Sequence, residues 1–171
     1  FIGTWSPHKE QVIAFLARKL PYIRIRILGN QWNRATSSSL QGVIAGHEII
    51  GDYYAMSITS TKINLGLLSE KREGSSSGDQ VTARTFHIPG CGGFMLHERT
   101  AELLECYSEG LEVECFDTKE ELVEKVQHYL AHEEERLKIA RAGHERCVKE
   151  YSLASRAQII VDKYLIESRC Q

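Results

Sequence analysis

The run Arg84-Thr85-Phe86-His87-Ile88-Pro89-Gly90-Cys91-Gly92-Gly93-Phe94-Met95-Leu96-His97-Glu98 decides the fold. It opens on basic and polar residues, passes through a glycine-rich turn and leaves through an apolar stretch. That pattern predicts a helix ending at Gly92 and Gly93, then a short buried strand over 94–96. In an open α/β sheet, helix starts and strand ends converge on the crevice where ligands bind, so the same run is the first place to look for a site.

Working outward, the flanks repeat the alternation. Residues 1–4 read as a short buried strand, followed by Ser6 as an N-cap and Pro7 as a first helical residue. Val12, Ile13, Leu16 and Leu20 recur at helical spacing, which predicts a helix over 7–20. Ile23, Ile25 and Ile27 alternate with Arg24 and Arg26, the period-two mark of a half-exposed strand near a sheet edge. Further strands are expected within 43–50, at 63–68 and at 113–116. A helix capped by Gly51 or Asp52 is expected before Lys62, and others near 100–107 and after Asp117 or Thr118, where Glu121 completes a capping box. The stretch 133–164 reads as helix with a break near Tyr151 and Ser152, and 30–41 and 69–80 read as loops. Strand–helix alternation of this kind predicts a Rossmann-like three-layer α/β sandwich: a mainly parallel sheet of five or six strands, helices on both faces and extra helices at the C-terminus.

Bulk properties narrow the function classes. The 171 residues fit one domain, and the chain opens inside a strand, so it reads as a domain excised from a longer polypeptide. A net charge of −2 lacks the basic excess that would point to nucleic acid as a partner, and no apolar run approaches a membrane span. Five cysteines without C-x-x-C spacing (Cys91, Cys106, Cys115, Cys147, Cys170) read as reduced thiols of a cytoplasmic protein. Cys91 has no neighbouring base and reads as a small buried residue. The histidines show no established metal-ligand spacing. His128 and His132, four apart on a charged helix, read as part of a solvated face, and no metal site is expected.

The 84–99 segment closely resembles the donor-binding signature of GT-B glycosyltransferases, in particular the group 1 and spore-maturation-like families, which run R-T-F-E-I-P-A-C-G-x-F-L-L-x-E-R. His87 stands where those families carry Glu. Weaker likeness extends through Gly3-Thr4-Trp5, through Lys62-Ile63, and through 118–143 to Tyr151-Ser152. The resemblance implies the C-terminal, nucleotide-sugar-binding half of a GT-B enzyme. Its donor would be a nucleoside diphosphate sugar, its partner an N-terminal domain of the same polypeptide, and no cofactor would be needed. The acceptor and any general base would lie mainly on that partner, and the resemblance assigns no catalytic residue to this chain.

The implied donor site is assembled residue by residue. Gly3 and Thr4 precede a helix start that can present N–H groups to phosphate, and Lys9 matches a basic residue that approaches the diphosphate; an ordinary capped helix with a solvated lysine is the plain alternative. Lys62 opens a strand, and charge neutralisation of the leaving diphosphate competes with simple solvation there. Arg84 offers a planar fork to phosphate or carboxylate. In GT-B enzymes two acids are spaced E-x7-E, the second accepting from the ribose hydroxyls; here that spacing gives Asp79 and His87. A neutral imidazole has one acceptor nitrogen where a carboxylate has several sites, so His87 either holds the ribose by one bond or marks a module that has lost its donor. The second reading is a catalytically silent binding or structural module in spore-coat or surface assembly. Gly90, Gly92 and Gly93 would let the backbone approach the ligand, and Glu98 would line the cleft or start a helix.

Overall fold

The computed structural model describes residues 1–69 and 79–169. Of the loop expected at 69–80, residues 70–78 lie outside the described part. Helix α1 (Pro7–Lys19) begins as its sequence dictates: extended Ser6 accepts from the Lys9 amide, Pro7 follows, and Val12, Ile13 and Leu16 are buried. Strand β1 (Ile27–Leu28) is shorter than the isoleucine alternation implies. It is not an edge either. Leu28 exchanges hydrogen bonds with Phe1 and Gly3 on one side, while Ile27 donates to Val43 on the other.

Strand β2 (Ile44–Gly46) runs parallel to β1, and helix α2 (Gly51–Thr59) follows. Neither Gly51 nor Asp52 caps α2; both lie inside its first turn, and Ile50 holds the cap position without a side-chain hydrogen bond. Strand β3 (Asn64–Gly66), helix α3 (Ala83–Gly90), strand β4 (Met95–Glu98), helix α4 (Ala101–Cys106) and strand β5 (Glu114–Phe116) complete the βα alternation. Three helices close the chain: α5 (Lys119–Ala131), α6 (Glu133–Glu150) and α7 (Leu153–Arg169). Thr118 caps α5, but Glu121 reaches the amide of Asp117, one residue before the cap.

All strand pairings among the described residues are parallel, in the orders β1–β2 and β3–β4–β5. The expected single ladder of five or six strands is thus two shorter ladders, the first extended by the Ile2–Leu28 bridge. Period-two alternation builds three layers. Leu96, Leu65 and Phe116 join α1 and α5 in one core, whereas Met95, Val113 and Cys115 join Ile58, Ile88 and Leu103 of α2, α3 and α4 in the other. Helices therefore cover both faces, as expected.

The decisive segment ends differently from its reading. Helix α3 stops at Gly90, and Gly92 adopts a left-handed φ of 76° while its amide returns to the Pro89 carbonyl. Strand β4 then runs two residues past Leu96 and buries His97 and Glu98, so Glu98 ends a strand and starts no helix.

Candidate functional site

Parallel strands align their C-terminal ends on one edge, and βα turns place helix N-termini beside them. A cleft of about 210 Å³ opens there, walled by Gly3, Thr4, Asn30, Tyr54, Arg84 and His87, with Glu48 also on its lining. Arg84 and His87 stand three apart on α3, the spacing that puts two side chains on one helix face. Helix α3 is anchored at this end by a capping box, in which the Thr85 hydroxyl accepts from the Thr82 amide at 3.0 Å.

A buried imidazole holds that hydroxyl. His97 Nδ1 donates to the Glu98 carbonyl at 2.6 Å, which leaves Nε2 to accept from Thr85 Oγ1 at 3.0 Å. Burial lowers the His97 pKa, against smaller raising effects from Glu98, so the neutral form is favoured. Gly66 makes room for the ring: a Cβ there would lie 2.1 Å from His97 Cδ2.

The cations of the edge are held from behind. Half-buried Arg84 donates through Nη2 to the Leu67 carbonyl at 2.7 Å and lies 5.4 Å from the Phe1 ring centroid. Its Nε is buried without a hydrogen-bond partner among the described residues. Burial lowers the Arg84 pKa, while Tyr54, Asp79 and Glu98 act in the opposite sense. Lys9, only 2% exposed, donates to the Thr4 carbonyl and to Ser69 Oγ, each at 3.1 Å. Burial first, and the Arg84 charge second, bring its pKa down to about 8, although Asp79 and Glu98 pull it up. Buried Glu98 accepts from the Leu68 amide at 2.6 Å and sits 2.5 Å from His8 Nε2. His87 is exposed and meets Tyr54 edge-on, with centroids 5.7 Å apart.

Gly3, Thr4, Arg84 and His87 thus share the cleft, and Lys9, Asp79 and Glu98 surround Arg84 electrostatically. The others lie elsewhere. Lys62 precedes β3, at the N-terminal edge of the sheet, beside a larger cavity of about 850 Å³ that Ile23, Ile25 and Val43 also line. Topology explains this: a residue before a parallel strand stands on the edge opposite to one after it. Gly90, Gly92 and Gly93 turn from helix end to strand start, and they too fall on that far edge. A Cβ on Gly93 would meet Ile58 at 2.4 Å and Asn64 at 2.9 Å, so this glycine serves close packing between α2 and β3. Cys91, read as buried, is half-buried.

Asn30, Glu48 and Tyr54 were missed. The signal was present for Asn30, which follows a glycine just past a strand, where a parallel sheet puts its site residues. Asn30 Nδ2 donates to Glu48 Oε2 at 2.9 Å, so the two side chains are fixed as a pair.

A family model described as "Glycosyl transferase-like" matches residues 8–162. The chain belongs to this glycosyl transferase-like family. Its fold is that of GT-B C-terminal domains. Anabaena Alr3699/HepE, crystallised with UDP-glucose, superimposes with a TM-score of 0.72 at 12% identity, over 95% of this chain and 48% of that one. The same protein with UDP and glucose gives 0.73 at 12% identity, over 95% and 47%. The C-terminal domain of a glycosyl transferase group 1 family protein, LpcC from Francisella tularensis, gives 0.61 at 11% identity, over 89% and 86%. At such identities the likeness carries the fold alone. This glycosyl transferase-like chain spans about half the length of HepE. No curated protein matches it significantly in sequence. Among the described residues, no helix is long and apolar enough to cross a membrane.

Proposed function

We propose that this chain is the donor-binding domain of a glycosyltransferase that moves a sugar from a nucleoside diphosphate sugar to an acceptor. The observation that carries the reading is the edge at which Lys9 and Arg84 stand behind a cleft walled by Gly3, Thr4 and His87. A diphosphate entering there meets positive charge in a partly desolvated setting, where Coulomb attraction exceeds its value in water. That charge would stabilise the leaving nucleoside diphosphate as the glycosidic bond breaks. The crystallisation of HepE with UDP and with UDP-glucose supports a uridine nucleotide as the first to try.

The cleft also holds a carboxylate that the signature lacks at position 87. Glu48, positioned by Asn30, retains acceptor capacity beyond that one bond, and it is suited to take the ribose hydroxyls with His87. A second domain completes the enzyme in this reading. Its support is the half-length coverage of HepE and the apolar side chains of α7, where Ile160 is 71% exposed and Tyr164 69%. Cys91, Cys106, Cys115 and Cys147 are free thiols, which suits a cytoplasmic setting.

The silent-module reading is favoured by His87 itself, the one departure from the signature that replaces a carboxylate. Calorimetric titration with UDP, GDP and UDP-glucose separates the two. The enzyme reading expects saturable binding to the unmodified protein, weakened by about 10- to 100-fold in Arg84→Met, the loss of a charge-assisted contact. No binding by either protein supports the silent module.

A further inference from the structure

We infer a transition-metal site, separate from the donor cleft, formed by His128, His132 and Glu135. The first lies in the last turn of α5, the second caps both α5 and α6, and the third lies in the first turn of α6. One ligand atom from each falls within 4.8 Å of the other two. A tetrahedral zinc ion with ligand bonds near 2.0–2.2 Å separates its ligands by roughly 3.4 Å. All three side chains are exposed, so small rotations bring them into range without disturbing the core.

Three features set this group apart from an ordinary charged surface. The histidines are four apart, the helical spacing that turns two imidazoles to one side. Their rings are stacked, with centroids 4.1 Å apart and planes 19° from parallel, which sets their nitrogen edges side by side. His132 Nδ1 lies 2.8 Å from the His128 carbonyl and donates to it, leaving the Nε2 lone pair for an ion. A backbone acceptor on the far nitrogen is how metal-binding histidines are usually oriented. His128 Nε2 now donates to Glu135 Oε2 at 2.8 Å, and an ion bound there would displace that proton.

Two imidazoles and one carboxylate suit zinc and its neighbours over calcium or magnesium, and water fills the remaining position. The ion would pin α5 to α6 at their junction. That junction stands on the edge away from the donor cleft, since Arg136 donates to the Lys62 carbonyl at 3.0 Å. The inference is independent of the donor reading.

Titrating tag-free protein with zinc chloride in a calorimeter, and with cobalt chloride in a spectrophotometer, tests the site. The expected result is one ion per chain, cobalt d–d bands without thiolate charge transfer, and a zinc-dependent rise in Tm. His128→Ala and His132→Ala should each abolish binding and the Tm rise, and Glu135→Gln should weaken both. These side chains are exposed, so circular dichroism is expected to stay unchanged. Absence of zinc binding overturns the inference. So does binding that survives in the double histidine variant, or cobalt bands of thiolate type, which would move the ion to the cysteines.

Discussion

The ammonium of Lys9, on the first turn of α1, hydrogen-bonds the carbonyl of Thr4 on the cleft wall at 3.1 Å. One buried cation therefore ties the helix start to the loop that precedes it and charges the cleft from behind.

Lys9→Met should weaken nucleotide binding, and the wild-type affinity should fall as pH rises through about 8, where the folded lysine loses its proton. The stability consequence has the opposite sign. Below about 8 both folded and unfolded chains carry the proton and the full burial cost is present; between about 8 and the ordinary 10.5 the unfolded chain holds more protons, so stability gains with pH. Urea denaturation of wild type and Lys9→Met near neutral pH and again above about 9 should show the wild type gaining on the variant.

His87→Glu should strengthen nucleotide binding by about tenfold or less, the worth of one added hydrogen bond, and Glu48→Gln should weaken it by a comparable factor. Fluorescence titration of both variants and of their combination measures this. Additivity would show two independent contacts, and non-additivity a shared ribose.

Glu10 makes an acid-stability prediction. Burial alone would raise its pKa, but hydrogen bonds from Trp5, Ser37 and Thr36 outweigh it and bring the carboxyl down to about 2. Its stabilisation is complete above the ordinary 4.5 and is lost as pH falls from there towards about 2. Glu10→Ala leaves the amides of Thr36 and Ser37 and the Trp5 indole without their acceptor, and should cost about 2–4 kcal/mol at neutral pH in denaturant melts. The variant should also be less sensitive to acid.

Gly66→Ala should destabilise by about 1–3 kcal/mol, because its Cβ would overlap the His97 ring. The ring also holds Thr85 at the start of α3, so a weaker nucleotide affinity should accompany the lower Tm.

The layers were legible because apolar periodicity reports them directly: α1, the α6–α7 break and the parallel strands all follow from spacing and caps. Strand pairing was not. Ile23 and Ile25 alternate correctly yet lie before β1, beside a cavity, and alternation alone does not tell whether a neighbour is present. In the site, Arg84 and His87 were readable because one helix turn carries both. Lys62, Gly90, Gly92 and Gly93 fall on the opposite edge; residue type does not say on which side of a strand a residue stands. Counting which side of a strand each one falls on would have separated them. Asn30 and Glu48 required the folded chain, since their pairing joins two loops eighteen residues apart in sequence.

Helix α3 begins at the cleft and ends at the glycine turn on the far edge. Random substitution across residues 84–98, sorted in one channel for soluble yield and in another for nucleotide capture, should therefore divide the signature in the middle. Variants at 84 and 87, His87→Glu excepted, should pass the first sort and do poorly in the second, while those at 92 and 93 should drop out at the first. A short motif that looks like one recognition element to a pattern search would behave in such a screen as two unrelated genetic loci.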